Sequence, residues 1–152
     1  MTHSKARRRP PIHMIDVEAD RLTDLALAAK EQNPHVCRLL LDEIDRAKIH
    51  DRARIAPDVV TMHSSVQFLD AATGREHLYE LVYPREADIA SGKISIMTPV
   101  GAGLIGLREG QSILWPDRDG RERELAIIRV RQAAPTGVMI DIFPEAMSAS
   151  LG

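Results

Sequence analysis

Three glycines carry the sequence pattern with the most suggestive chemistry. Gly101, Gly103 and Gly106 match the spacing G-x-G-x-x-G after an apolar strand-like stretch. In dinucleotide-binding proteins the glycines open a long helix, and an acidic residue about 20 positions later holds the ribose. Here Gly106 is suited to end a helix, and Asp117 and Asp119 come too early. We therefore interpret the glycines as positions of close helix–sheet packing and predict no cofactor.

Carboxylates and histidines are the other groups that could do chemistry. Asp16, Asp20 and Asp24 recur every four residues, which puts three carboxylates on one face of a helix. Such a row could bind a cation, but acidic residues are also favoured at a helix start, and we interpret it as a solvated face. The six histidines never lie four residues apart and have no cysteine pair beside them, so we predict no zinc site. No nucleophile motif is present, and we predict no catalytic residue.

The composition is typical of one compact domain with a small appendage. The 152 residues are 44% hydrophobic and 28% charged, and no apolar run approaches a membrane span. The single cysteine, Cys37, excludes an internal disulfide framework and fits a reducing cytoplasm. Few aromatic residues are available to stack bases, which disfavours a single-strand nucleic-acid binder. We expect a cytoplasmic protein that has no contact with membranes.

Local patterns predict the elements that position these residues. Helical periodicity favours helices over residues 16–32 and 34–50, and the break at Asn33-Pro34 predicts that they form a hairpin. Thr98 is suited to cap a third helix, with Pro99 at its first position and Gly106 at its end. Alternating patterns predict strands over residues 59–62, 65–69, 76–83, 112–115 and 122–131.

The order of these elements predicts an α+β fold. An N-terminal antiparallel helical hairpin, a short coiled coil, precedes an antiparallel sheet domain with one short helix. We divide the chain into a disordered basic tail over residues 1–14, the hairpin over 15–52, the sheet domain over 56–132 and a second tail over 133–152. Residues 137–143 could add an edge strand.

Several separated motifs resemble one protein family. The run Met97-Thr98-Pro99-Val100-Gly101-Ala102 resembles the signature of the C-terminal domain of Gre-type transcription factors, and so do residues 104–107 and Gly110. Residues 58–64 and 81–84 resemble its Rnk-type branch, the regulators of nucleoside diphosphate kinase that bind RNA polymerase. The resemblance covers residues 12–132. It implies a coiled-coil hairpin and a domain similar to the FK506-binding-protein (FKBP) fold.

The resemblance implies three possible functions: docking near the secondary channel of RNA polymerase, transcript cleavage, and prolyl isomerisation. Gre factors support a second catalytic metal with an acidic pair at the tip of a long coiled coil. With about 16 residues per helix, the hairpin here would project roughly 25 Å, about half the Gre length. Residues 30–35 at its tip contain a single acid, Glu31. An isomerase pocket would need more aromatic residues than the domain offers.

We therefore predict a non-enzymatic regulator that binds the rim of the RNA polymerase secondary channel and competes with Gre-type factors without cleaving transcripts. A degenerate cleavage factor that uses Glu31 is the alternative. The predicted polymerase contacts are Thr98, Pro99, Val100 and Gly101, with Glu31 at the tip, although capping alone would also explain Thr98 and Pro99. We expect no metal and no sequence-specific DNA binding, and we interpret any effect on nucleoside diphosphate kinase as indirect. Leu39 and Leu41 on different sides of the second helix leave a dimer possible.

Overall fold

The computed structural model describes residues 10–116, 119 and 121–133. The basic residues 5–9, the edge strand expected over 137–143 and most of the second tail lie outside these described residues. Within them the elements follow in this order: β1 (His13–Ile15), α1 (Asp16–Ala28), α2 (Pro34–Arg46), β2 (Lys48–His50), β3 (Ser65–Asp70), β4 (Arg75–Val82), β5 (Lys93–Ser95), α3 (Pro99–Leu104), β6 (Ser112–Pro116) and β7 (Glu122–Arg131). No described helix has the length and apolar character to cross a membrane. The mixed α+β class is confirmed.

The five-stranded sheet has the order β5-β4-β3-β7-β6, and β1 pairs with β2 in a separate parallel ladder. The sheet is antiparallel along β4, β3, β7 and β6. The prediction of a wholly antiparallel sheet is wrong at one edge, where β5 runs parallel to β4. Two short 3-10 turns between these strands, Pro84–Glu86 and Ile89–Ser91, and the left-handed Gly92 bring the chain back alongside β4.

Both N-terminal helices end earlier than the sequence predicts. The chain turns over residues 29–33 because Pro34 begins α2 and disfavours a helical residue before it. At the other end of α2, Lys48–His50 leaves the helix to pair with β1. The strand predicted over residues 59–62 forms only one isolated bridge, between Val59 and Arg108.

The helices and the sheet share one hydrophobic core. Leu22 of α1, Leu40 of α2, Leu104 of α3 and Trp115 of β6 are each at most 1% exposed and belong to the same cluster. Cys37 is also buried in it. The predicted boundary between residues 15–52 and 56–132 therefore does not separate two cores.

Two further expectations need correction because of this shared core. Ile12 and Met14, assigned to a disordered tail, are buried and lie in or beside β1. Leu39, on which a dimer partly rested, is also buried and therefore not free for a partner.

The helix pair lies along α3 and does not project from the domain. At one end of the pair, the N–H of His13 donates to the carbonyl of Gly106, just after α3 (3.0 Å). At the other end, Nδ2 of Asn33 donates to the carbonyl of Met97, just before α3 (3.2 Å). The predicted projection of roughly 25 Å is wrong, because the apolar faces of α1 and α2 are buried on the domain itself.

Candidate docking surface

The start of α3 is held by a short network of side-chain hydrogen bonds. The Thr98 hydroxyl accepts a hydrogen bond from the N–H of Gly101 (3.0 Å) and donates one to the carbonyl of Ser95 (2.8 Å). The Ser95 hydroxyl in turn accepts the N–H of Met97 (2.9 Å). Thr98 thus caps the helix as its sequence position predicts, with Pro99 at the first helical position.

Close packing explains all three glycines of the G-x-G-x-x-G pattern. A Cβ at Gly101 would overlap the carbonyl oxygen of Ser95, and a Cβ at Gly103 would lie 2.9 Å from the indole ring of Trp115. Gly106 has φ +85° and would place a Cβ 2.8 Å from Cβ of Ile12. The glycines therefore make room for the protein's own atoms, as the packing interpretation predicts.

The predicted contact residues differ in their accessibility. Thr98 and Val100 are partly exposed and Glu31 is exposed, whereas Gly101 is buried. Pro99 is also buried, but it lines two grooves on either side of α3. Gly101 therefore supports this surface from beneath and presents no side chain to a partner.

The structure brings the turn between α1 and α2 against the start of α3. Asn33, His35 and Val36 line a groove of about 300 Å³ together with Met97 and Pro99. Two segments that are more than 60 positions apart in the sequence thus form one surface, which we call the docking surface: this groove with Thr98 and Val100. Glu31 lies on the exposed turn beside it and does not line the groove.

A second groove, of about 530 Å³, continues from Pro99 on the other side of α3. Its walls are largely apolar, and Ile89, one of the lining residues, is 61% exposed. Arg123, which pairs with the buried carboxylate of Asp70, adds a charged group to its lining. An apolar floor with a polar rim is the usual composition of a protein-binding surface.

A cluster of polar side chains that the sequence analysis missed lies between α1, the 61–64 turn and the end of β4. The buried carboxylate of Glu18 accepts the N–H of Met62 (3.1 Å). His63 is the only described non-glycine residue with positive φ, +68°, and its Nε2 lies 2.8 Å from Oε1 of Glu86. These contacts join residues 23 to 44 positions apart, so no local spacing indicates them.

Replacing Glu18 with glutamine tests the cost of its buried charge. Burial raises the pKa of Glu18, although the Met62 N–H and the Arg52 guanidinium oppose this change. A carboxyl group that holds its proton more tightly in the folded chain adds stability at low pH, and this contribution is lost as the pH rises through the folded-state pKa. Glutamine keeps an acceptor for Met62, so we expect Glu18→Gln to raise the urea midpoint of unfolding at about pH 8. The difference from the wild type should shrink towards about pH 4; an equal difference at both pH values would contradict this account.

Within the described part of the chain, no three His, Cys, Asp or Glu residues lie close enough together to hold a metal ion. The nearest pairing of histidines is across the β1–β2 ladder, where Nδ1 of His13 lies 2.9 Å from Nε2 of His50. Burial, and then the neighbouring His50, lower the pKa of His13. The surface around α3 therefore differs in kind from this pairing: its partly exposed side chains include Thr98 and Val100.

Comparison with known proteins gives the surface a context. The model of the family described as "Transcription elongation factor, GreA/GreB, C-term" matches residues 55–132. A "Regulator of nucleoside diphosphate kinase" from Escherichia coli strain K12 is 34% identical over 122 residues, which are 80% of this chain and 90% of that protein. Transcription elongation factor GreA from Methylobacterium nodulans is 36% identical over 121 residues, 74% of this chain and 77% of that protein. The solved structure of a prokaryotic transcription elongation factor GreA/GreB from Nitrosomonas europaea superimposes with a TM-score of 0.63 at 35% identity. The match covers 79% of this chain and 98% of the chain in that structure.

Proposed function

The chain belongs to the GreA/GreB family of transcription factors, and from this premise we propose that it binds RNA polymerase at the rim of the secondary channel. There it competes with cleavage-competent Gre factors and does not cleave transcripts itself. On this proposal residues 56–132 form an FKBP-like domain that grips the rim, and the helices within residues 15–52 correspond to the family's coiled coil. The protein acts as a regulator in the bacterial cytoplasm.

The observation that supports docking most strongly is the joint surface made by the helix turn and α3. Asn33 is hydrogen-bonded to the Met97 carbonyl, and both line one groove with Pro99. Thr98 is fixed by its capping bonds, so the partly exposed Val100 is held on a rigid support. A preorganised surface loses little conformational entropy when a partner binds.

The absence of cleavage activity is proposed from the position and charge of the turn. Glu31 is its only acidic residue, whereas two-metal chemistry needs several oxygen ligands around both ions. The turn is held beside Met97, and each helix of 13 residues is only about 20 Å long. Glu31 thus lacks both a second carboxylate and the reach of a long coiled coil.

The net charge of the chain bears on whether it binds DNA directly. A net charge of −2 disfavours direct, sequence-specific DNA binding, because the phosphate backbone attracts strongly basic surfaces. We propose the polymerase itself as the partner because the matched family and the GreA relative are transcription elongation factors. We propose that any effect on nucleoside diphosphate kinase is indirect, through transcription.

A competition assay on backtracked elongation complexes tests the proposal. The purified protein is added alone, and then in increasing amounts against a cleavage-competent Gre factor. We expect no cleavage by the protein alone and progressive inhibition of the Gre-stimulated reaction. Cleavage by the protein alone that is lost in Glu31→Ala would establish the alternative, a degenerate cleavage factor. If the protein neither cleaves the transcript nor competes with the Gre factor, the proposal of docking at the channel is wrong.

The Val100→Asp variant tests whether the start of α3 makes the contact. Placing a charge on the central apolar side chain of an interface typically costs more than 1 kcal/mol, so we expect about tenfold weaker competition. The matched control is Leu78→Asp, since Leu78 is 68% exposed on β4 and lies outside the docking surface. Equal inhibition constants for the two variants would show that the polymerase contacts another face.

A further inference from the structure

A further cleft lies near the docking surface, and its lining includes two arginines. It is lined by Arg21 and Leu25 of α1, by His63 and by residues 83–86, and it encloses about 570 Å³. We call it the arginine cleft. It is not part of the groove at Pro99, and none of its residues belongs to the contacts that the sequence analysis predicts.

The two arginines of the cleft have no direct carboxylate partner among the described residues. Arg21 and Arg85 are both exposed, and neither forms an ion pair with any residue in the described part of the chain. The Arg21 guanidinium lies over the Tyr83 ring, 5.7 Å from its centroid, and its side-chain hydrogen bond with Tyr83 opposes the rise in the Tyr83 pKa that burial causes. Two guanidinium groups without a direct carboxylate contact on one cleft favour an anionic partner.

The carboxylates near the cleft are already engaged. Oε1 of Glu86 lies 2.8 Å from Nε2 of His63 and also accepts the N–H of Tyr83 (3.2 Å). The His63 contact lowers the pKa of Glu86 and keeps it ionised. Glu18 is buried behind the cleft, where it binds the Met62 N–H and faces Arg52 at 3.8 Å. These carboxylates do not neutralise Arg21 or Arg85 by direct contact.

The floor of the cleft is rigid. The N–H of His63 donates to the carbonyl of Leu81 near the end of β4 (2.6 Å). This hydrogen bond holds His63 in its left-handed conformation. Its ring meets the Tyr83 ring edge-on, at 5.7 Å between centroids. A non-glycine residue held at positive φ costs conformational energy, and such residues cluster at binding sites.

The cleft and the docking surface emerge from the same edge of the sheet. β4 and β5 are parallel with Val82 opposite Ser95, and the N–H of Ile96 donates to the Val82 carbonyl (2.8 Å). The chain therefore leaves the sheet at Tyr83 and at Met97 side by side. Leu25, which lines the cleft, lies in the last helical turn of α1. The connection to α2 that follows carries Asn33. A partner seated on Met97 and Pro99 would extend naturally over Arg21 and Arg85.

We propose that the arginine cleft binds an acidic segment of RNA polymerase, next to the segment held by the docking surface. This inference rests on the proposed polymerase docking and names a second contact within it. A protein carboxylate suits the cleft because a guanidinium binds one carboxylate through two parallel hydrogen bonds. A nucleic-acid backbone suits it less, because successive phosphates need a continuous basic surface, and the lining of this cleft has two arginines with Glu86 beside them.

The test is a binding measurement with core RNA polymerase free of nucleic acid. The double variant Arg21→Glu/Arg85→Glu is compared with the wild type by fluorescence anisotropy over a range of KCl concentrations. We expect the variant to bind about tenfold more weakly at low salt, because reversal replaces attraction by repulsion. We also expect its affinity to fall less steeply with added KCl than that of the wild type. The matched control is Arg75→Glu, an exposed arginine at the opposite end of β4, which should bind like the wild type.

The outcomes separate this inference from the proposed function. If the wild type does not bind the core enzyme, the docking proposal fails and the inference fails with it. If the wild type binds and the double variant binds equally well, docking stands and the arginine cleft is not part of the interface. If the variant is weakened only on complexes that contain DNA and RNA, the cleft contacts phosphate and the assignment to an acidic protein segment is wrong. Circular dichroism establishes that each variant is folded before its affinity is measured.

Discussion

Replacing Gly101 with alanine is expected to lower the free energy of unfolding by about 3 kcal/mol, the upper end of the usual cost of overpacking. The added Cβ would overlap the carbonyl oxygen of Ser95 and would lie 3.0 Å from Cα of Ile96. Both are backbone atoms of the segment at the end of β5, so no flexible side chain can move aside. The start of α3 would have to shift away from the sheet, and the Thr98 cap would shift with it.

Urea denaturation followed by circular dichroism measures this effect, and Gly74→Ala is its control. Gly74 has φ +72° but no atom within 4 Å of the position that a Cβ would occupy, so alanine there should cost only about 1 kcal/mol of backbone strain. Equal losses at the two positions would mean that the contact with Ser95 relaxes at little cost. In that case close packing would not explain why glycine occupies position 101.

Local chemistry made the segment around α3 predictable. Thr98, Pro99 and Gly106 specify a cap, a first helical residue and a left-handed stop, and each does so within a few positions of the chain. Strands β3, β4 and β7 were found for the same reason, because their alternation is visible in a window of six to ten residues.

Long-range pairing set the limits of prediction from sequence. The parallel β1–β2 ladder joins His13–Ile15 to Lys48–His50, segments separated by two helices, and both strands are only three residues long. Helical periodicity continued through residues 48–50 and gave no indication that they would leave the helix. The parallel edge at β5 depends on where the 83–92 connection returns, which turn residues alone do not specify.

The candidate site was predicted in its parts but not in its assembly. The α3 start and the helix turn were both identified, yet a projecting hairpin would have held them apart. Burial decides between these arrangements: the buried apolar residues of α1 and α2 belong to one cluster with those of α3 and the sheet, so the helix pair packs on the domain. The arginine cleft was missed because Arg21, His63 and Arg85 belong to three segments with no common spacing.

Removing the indole of Trp115 is expected to have the largest effect on stability of any substitution considered for this surface. Trp115 is 1% exposed, its ring lies against Gly103, and its Nε1–H donates to the carbonyl of Pro99. Trp115→Ala would leave a large cavity beneath α3, and we expect a loss of about 3–5 kcal/mol in the free energy of unfolding. Circular dichroism is the appropriate probe, because the chain contains one tryptophan and the variant has none to report by fluorescence.

Trp115→Phe separates the positioning role of this residue from its volume. Phenylalanine refills most of the cavity but cannot donate to Pro99, so the free energy of unfolding should fall by only about 1–3 kcal/mol. If the indole N–H fixes the start of α3, the folded Phe variant should still inhibit Gre-stimulated cleavage less well than the wild type, because the Pro99 edge and Val100 lose their fixed position. Inhibition equal to that of the wild type, measured where both proteins are fully folded, would contradict this role. Packing against Gly103 alone would then be enough to hold the docking surface in place.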